Sequence, residues 1–198
     1  MTEFHLEKAQ ESQSQEDSEA ALVGEAQRDP AAFTALYRRY VDAVYFYMLS
    51  KVGERQAAED LTEQVFLDAL QGLPKYRHQG AFTAWLFTIA RRRAADYHRQ
   101  QTREKRVFAG SPGIQAGERV DPAQNVEAQL EQSDRRARLL SLLNQLEEHE
   151  IELLRLRFAS GLRFFEIADL LERKESAVKM AIYRLLDRLK RKLEAQDG

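Results

Sequence analysis

Apolar residues in this chain recur mostly at intervals of three and four, the spacing of helices with one buried face. From Phe33, the run Phe33, Leu36, Tyr37, Tyr40, Val41, Val44, Tyr45, Met48, Leu49 and Val52 predicts a long amphipathic helix. The turn-favouring Arg28-Asp29-Pro30 opens it and Gly53 interrupts it. A second helix places Ala58, Leu61, Val65, Phe66, Ala69 and Leu70 inward and Glu59, Asp60, Glu63 and Gln64 outward. Gly72, Pro74 and Gly80 then mark a loop. The next helix buries Phe82, Trp85, Leu86, Ile89, Ala90 and Tyr97, with Trp85 as its expected core anchor. Arg91, Arg92, His98, Arg99 and Arg103 fall mostly on the opposite side. Arg93 lies within the apolar arc, so its stem is expected to pack while its head reaches solvent or a carboxylate.

Gly110, Pro112, Gly113, Gly117 and Pro122 sit among few apolar residues and predict a flexible linker. Helical spacing resumes with Leu139, Leu142, Leu143 and Leu146, then Ile151, Leu153, Leu154, Leu156 and Phe158. It continues through Phe164, Ile167, Ala168, Leu170 and Leu171, and after a short break through Val178, Ile182, Leu185, Leu189 and Leu193. No useful stretch alternates with period two. The expected fold is therefore all-α: two small helical domains over 20–106 and 130–198, joined by a linker at 107–129. An acidic tail over 1–19, without apolar periodicity, is expected to be disordered.

Composition narrows the class. Of 198 residues, 43% are hydrophobic and 31% charged, which suits a soluble helical protein with modest cores. No apolar run approaches the roughly 18 residues of a membrane span, and the polar N-terminus has no signal-peptide segment. Cytoplasmic residence without membrane insertion is expected. The absence of cysteine excludes disulfides and thiolate metal sites within the chain. The four histidines, His5, His78, His98 and His149, are scattered, and no glycine-rich phosphate loop or G-x-S-x-G occurs. No catalytic residue, metal or cofactor is expected.

A net charge of −2 conceals two basic clusters, over residues 75–106 and 173–192. Two separated clusters suggest two contacts with one polyanion, although each alone reads more readily as a solvated helix face. Residues 162–192 have the outline of a helix-turn-helix, whose second helix would present Lys179, Met180, Tyr183 and Arg184 to a major groove. The pattern by itself fits an ordinary helical hairpin as well.

Taken together, "AEDLTEQVFLDAL", "GAFTAWLFTIARRRAADYHR", a linker, and "GLRFFEIADLL…AVKMAIYRLLDRLKRKL" resemble the extracytoplasmic-function sigma factors. These are minimal bacterial sigma factors built from the second and fourth sigma domains. The resemblance covers roughly 30–105 and 130–193. It implies promoter-specific initiation of transcription, with core RNA polymerase as partner through the clamp of its largest subunit and the flap of the second. Promoter DNA and an anti-sigma protein are the other implied partners. By position, Asp60, Glu63, Gln64 and Leu67 match the polymerase-docking helix. Lys75, Tyr76, Arg77, His78, Gln79, Arg91, Arg92 and Arg99 match the surface that captures the unpaired −10 strand. Lys174, Ser176, Lys179, Met180, Tyr183 and Arg184 match the reader of the −35 duplex. One departure is Glu172, which stands where the family usually has glycine in the turn. The alternatives from other classes are a stand-alone helix-turn-helix regulator and a helical adaptor that binds an acidic protein.

Overall fold

The computed structural model describes residues 18–77, 81–108, 139 and 141–195. Most of the expected linker, the tail before Ser18, and the loop residues His78 and Gln79 lie outside them. Every regular element among the described residues is helical. In chain order these are α1 (18–28), α2 (Phe33–Val52), α3 (Arg55–Gly72), α4 (Phe82–Phe108), α5 (Glu148–Leu154), α6 (Phe164–Leu170) and α7 (Glu175–Glu194).

Local chemistry sets the boundaries. Asp29 accepts a hydrogen bond from the Ala31 amide at 2.9 Å, and Pro30 opens the 3₁₀ turn Pro30–Ala32 that leads into α2. Gly53 ends α2 at φ 75°, with its amide on the Leu49 carbonyl at 2.9 Å. Helix α1 extends two residues into the stretch expected to be tail. Its Glu19, Val23 and Ala26 are buried at helical spacing, so Glu19 belongs to the folded body.

Helices α2, α3 and α4 close on Leu36, Val44, Tyr47 and Met48, on Ala58, Val65 and Ala69, and on Leu86, Phe87 and Ala90, each with no exposed surface. Burial of each large apolar side chain contributes about 1.5–3 kcal/mol. Edge-on ring contacts, such as Tyr47–Phe87 at 5.4 Å, lock the bundle further.

Three expected inward positions in α2 to α4 differ, and in the second half the apolar positions Leu139 and Phe158 are 41% and 60% exposed. Tyr37 and Leu70 are 42% and 37% exposed, because the apolar arcs of α2 and α3 are wider than the seam between them can cover. Trp85 is half-buried rather than a fully enclosed anchor. Its indole lies on Tyr76 and Phe82, at 4.9 and 5.4 Å between ring centroids, with an edge against Gly72. A Cβ at residue 72 would stand 3.1 Å from that ring.

In the second half, α5 runs into a π-helical turn over Arg155–Ala159, then α6 and α7 pack against each other. Leu153, Leu156, Leu162, Ile167, Ala168, Val178 and Ile182 join the same continuous core as α2–α4. Leu142, Leu185 and Leu189 form a smaller cluster. The halves thus share an interior, which local periodicity does not reveal.

Candidate nucleic-acid interface

Helix α7 has two unlike faces. Val178, Ile182, Leu185 and Leu189 are buried, while Lys174, Ser176, Lys179, Met180, Tyr183 and Arg184 are all exposed. The six candidates therefore meet on the surface around the helix start and its first three turns. Tyr183 is braced from below by the Phe164 ring at 6.0 Å, and the Arg157 guanidinium sits 4.6 Å from that ring's centroid.

The turn before α7 takes the shape that glycine would favour. Glu172 has φ 52°, the one positive value at a non-glycine among the described residues. The Arg173 amide reaches the Ala168 carbonyl at 2.9 Å and the Glu172 amide reaches that of Asp169 at 3.2 Å, closing the end of α6. Holding an L-residue there costs about 1 kcal/mol.

On α4, Arg91, Arg92 and Arg99 are exposed. Arg91 Nε lies 3.1 Å from Glu152 Oε1, and Arg99 pairs with Asp96 one turn back. Arg93 forms a fork on Asp68 of α3, with Nε at 2.6 Å and Nη2 at 2.5 Å, so its head finds a carboxylate. This hydrogen bond, together with the Asp68 charge, raises the Arg93 pKa against an opposing burial effect.

Lys75 and Arg77 are exposed before α4, whereas Tyr76 is 9% exposed and its ring is committed to the core. Its plane stands nearly perpendicular to Phe82, at 88°. Burial, and secondarily the Glu19 charge, pushes the Tyr76 phenol up to about 12. The aromatic that does reach the surface here is Trp85. It lies between a hollow of about 540 Å³ that also involves Lys75, Arg77 and Arg173 and one of about 530 Å³ that involves Arg92 and Arg93. Its helical register fits a core position, so its half-exposure depends on how Gly72 and Tyr76 support it.

Helix α1 braces this region from behind. Glu19 Oε1 accepts from the Phe82 amide at 2.9 Å, at the positive end of α4. Its other oxygen takes the Tyr40 phenol and lies 3.3 Å from the Thr83 hydroxyl, whose shorter contact is to Glu166 at 3.0 Å. Gln27 Nε2 donates to the carbonyls of Leu73 and Tyr76 at 3.0 and 2.8 Å. Neither residue was expected as part of the site. Their partners lie 21 to 64 positions away, beyond the range of any local sequence pattern.

Asp60, Glu63, Gln64 and Leu67 are exposed on α3. Glu63 and Leu67 line a groove of about 550 Å³ between α2 and α3, together with Tyr37, Tyr45, Phe66 and Leu70. Asp42, Glu59 and Glu63 make its lining acidic in places. Asp60 and Gln64 lie outside that lining. The groove residues Tyr37, Tyr45 and Leu70 had been read only as core.

The Sigma-70 region 2 model matches residues 36–104, which hold α2 to α4 except for the first turn of α2 and the last residues of α4. The chain is 36% identical over 176 residues to ECF RNA polymerase sigma factor BldN of Streptomyces coelicolor, covering 88% of this chain and 64% of that protein. It is 35% identical over 137 residues to ECF RNA polymerase sigma factor ShbA of Streptomyces griseus, covering 69% of this chain and 71% of that one. The chain belongs to the ECF RNA polymerase sigma factors. Its length is not matched throughout: it spans just under two-thirds of the Streptomyces coelicolor relative.

Two solved structures share the sigma-factor fold. CnrH, in complex with the cytosolic domain of CnrY, superposes with a TM-score of 0.61 at 23% identity over 90% of this chain and 99% of that one. The sigma factor RpoE of Bartonella quintana, in complex with the anti-sigma factor NepR, gives 0.56 at 21% identity over 82% and 96%. Among the described residues of this ECF sigma factor, no helix is long and apolar enough to cross a membrane. No group of three or more histidine or acidic side chains is placed there to hold a metal ion.

Proposed function

We propose that this ECF sigma factor binds core RNA polymerase in the cytoplasm and directs it to promoters, without catalytic chemistry of its own. The observation that carries the reading is the two-faced α7. Its apolar face seats it on α6, and its exposed Lys179, Tyr183 and Arg184 can reach base edges in a −35 major groove. Lys75, Arg77, Arg92 and Arg99 suit phosphates of an unpaired −10 strand, for which arginine offers a forked donor set. Trp85 adds a π-face at the same place, the kind of platform on which an unstacked base rests. The α2–α3 groove and its exposed Leu67 suit the polymerase clamp, whose helices would lay an apolar stripe against Tyr37 and Leu70. His78 and Gln79 remain candidates by resemblance alone. An anti-sigma protein is a further proposed partner, since RpoE was solved with one.

Reconstitution tests this directly. Purified core polymerase with this protein should give promoter-specific runoff transcripts that core alone does not. A stand-alone regulator or adaptor would give none and would not co-purify with core.

A further inference from the structure

Beside the seam between the two halves lies a cavity of about 820 Å³, walled by α2, α4, α5 and the turn that joins α6 to α7. Its floor is already satisfied. The Tyr47 hydroxyl donates to Glu152 Oε1 at 2.7 Å, and Lys51 Nζ reaches Glu148 at 3.0 Å and Glu152 at 3.1 Å. Arg91 adds its contact to Glu152. The walls are held from the far end of the seam too, where the Ala81 amide donates to Asp169 at 3.2 Å. The space is therefore formed before any ligand arrives, and its size falls in the range of about 300–1,000 Å³ typical of small-molecule sites.

The rim has the opposite character. Arg92 of α4 and Arg173 of the turn are exposed, line the cavity, and make no ion pair among the described residues. Four cationic side chains, Lys51, Arg91, Arg92 and Arg173, face two carboxylates, Glu148 and Glu152, with His98 and His149 as further ring donors. Two uncompensated guanidiniums in one hollow suit a doubly charged anion, and each presents a fork that fits phosphate oxygens. Leu171 and Ala95 add apolar wall, and the two imidazoles add flat surface, neither of which a bare phosphate needs. A nucleobase uses both.

We infer that this cavity is a binding site for a nucleoside polyphosphate, with Arg92 and Arg173 on its phosphates and its base against Leu171 and the imidazoles. The site depends on neither polymerase nor promoter DNA, so it is separable from the roles proposed for those partners. Its occupancy nevertheless bears on them. Phosphates in the cavity would take up Arg92, one of the cations proposed for the −10 strand, and so would couple the level of a soluble nucleotide to strand capture. The chain would then respond to a small molecule directly, alongside any protein that controls it.

Isothermal titration calorimetry on the full-length chain, without polymerase or DNA, tests the site with ADP, GDP, AMP, adenosine and inorganic pyrophosphate as probes. ADP or GDP should bind at a single site. AMP and pyrophosphate should bind several-fold more weakly, and adenosine not measurably. Arg92→Gln and Arg173→Gln should each weaken binding of the diphosphate by about tenfold. Lys190→Gln on α7 removes a positive charge outside the lining and should leave affinity unchanged. Glu148→Gln removes an exposed carboxylate from the rim and should raise affinity several-fold, a gain that misfolding cannot imitate. Absence of ADP and GDP binding by the wild type at millimolar concentration overturns the site. A loss in Lys190→Gln equal to that in the arginine variants, or no loss in either arginine variant, places the binding elsewhere and overturns it too. Pyrophosphate binding as tight as that of ADP and GDP overturns the nucleoside assignment.

Discussion

Arg93 of α4 holds Asp68 of α3 through both carboxylate oxygens, at 2.6 and 2.5 Å, and so bolts the arginine-bearing helix to its neighbour. Each partner is about one-third exposed, so water still screens the pair. Arg93→Ala and Asp68→Ala should each destabilise the protein. A double-mutant cycle by urea unfolding should return a coupling of about 1 kcal/mol. Zero coupling would mean that the fork has no energetic weight.

Relieving the left-handed residue between α6 and α7 should stabilise the protein. Glu172→Gly is expected to gain up to about 1 kcal/mol, less what glycine adds to the freedom of the unfolded chain. Glu172→Val, β-branched at the same φ, should lose stability. Thermal melts of the two variants should shift in opposite directions.

Tyr76 sets an alkaline limit. Its folded pKa is raised to about 12 from 10.0, so the folded state keeps the proton that the unfolded chain releases. That contribution is complete below pH 10 and is lost as pH rises toward 12. Tyr40 and Tyr47 are shifted the same way, mainly by burial. The stability difference between wild type and Tyr76→Phe, measured by denaturation at several pH values, should therefore shift against the wild type across this window. A difference that stays constant with pH would show that Tyr76 titrates normally.

Polymerase docking should depend on the groove more than on the polar residues beside it. Leu67→Asp with Tyr37→Ser should lower core affinity by about 2 kcal/mol or more, with helix content unchanged. Asp60→Ala with Gln64→Ala, outside the groove lining, should have a smaller effect. Competition binding ranks the two pairs, and the reverse order would move the docking surface to the polar face of α3.

Within α7, Arg184 and Arg191 should separate reading from holding. Arg191 leans on Asp187 at 2.9 Å, about two turns beyond Arg184, the last of the exposed candidates. Arg184→Ala should remove about 1–3 kcal/mol of discrimination between matched and scrambled −35 duplexes, whereas Arg191→Ala should weaken both alike. Equal losses on both duplexes for Arg184→Ala would make Lys179 the better candidate reader.

The helices and their core faces were legible because each leaves a local signature: a three-to-four spacing, a glycine stop, an aspartate before proline. The shape of the turn at Glu172 was not, since no glycine marks its left-handed residue. The Arg93 partner was legible as a type, a carboxylate, though not as Asp68. Tyr76 and Trp85 were harder, since the two rings stack on each other and only packing decides which one faces outward. Tyr37 and Leu70 read as core because periodicity gives the width of an apolar arc without the width of the seam that covers it. The contacts of Glu152, Glu166 and Asp169 cross between halves and depend on how two surfaces meet.

The Glu19 carboxylate carries a practical lesson about fragments. Its bond to the Phe82 amide spans 63 positions, and the same group takes the Tyr40 hydroxyl. A truncated version beginning at Ala20 would keep the apolar face of α1 and look complete by periodicity. It would nevertheless strip the anion from the start of the arginine helix and leave two enclosed donors, the Phe82 amide and the Tyr40 phenol, without that acceptor. The smallest working piece of this protein is therefore delimited by the electrostatics of a helix terminus, one residue ahead of where its hydrophobic pattern begins.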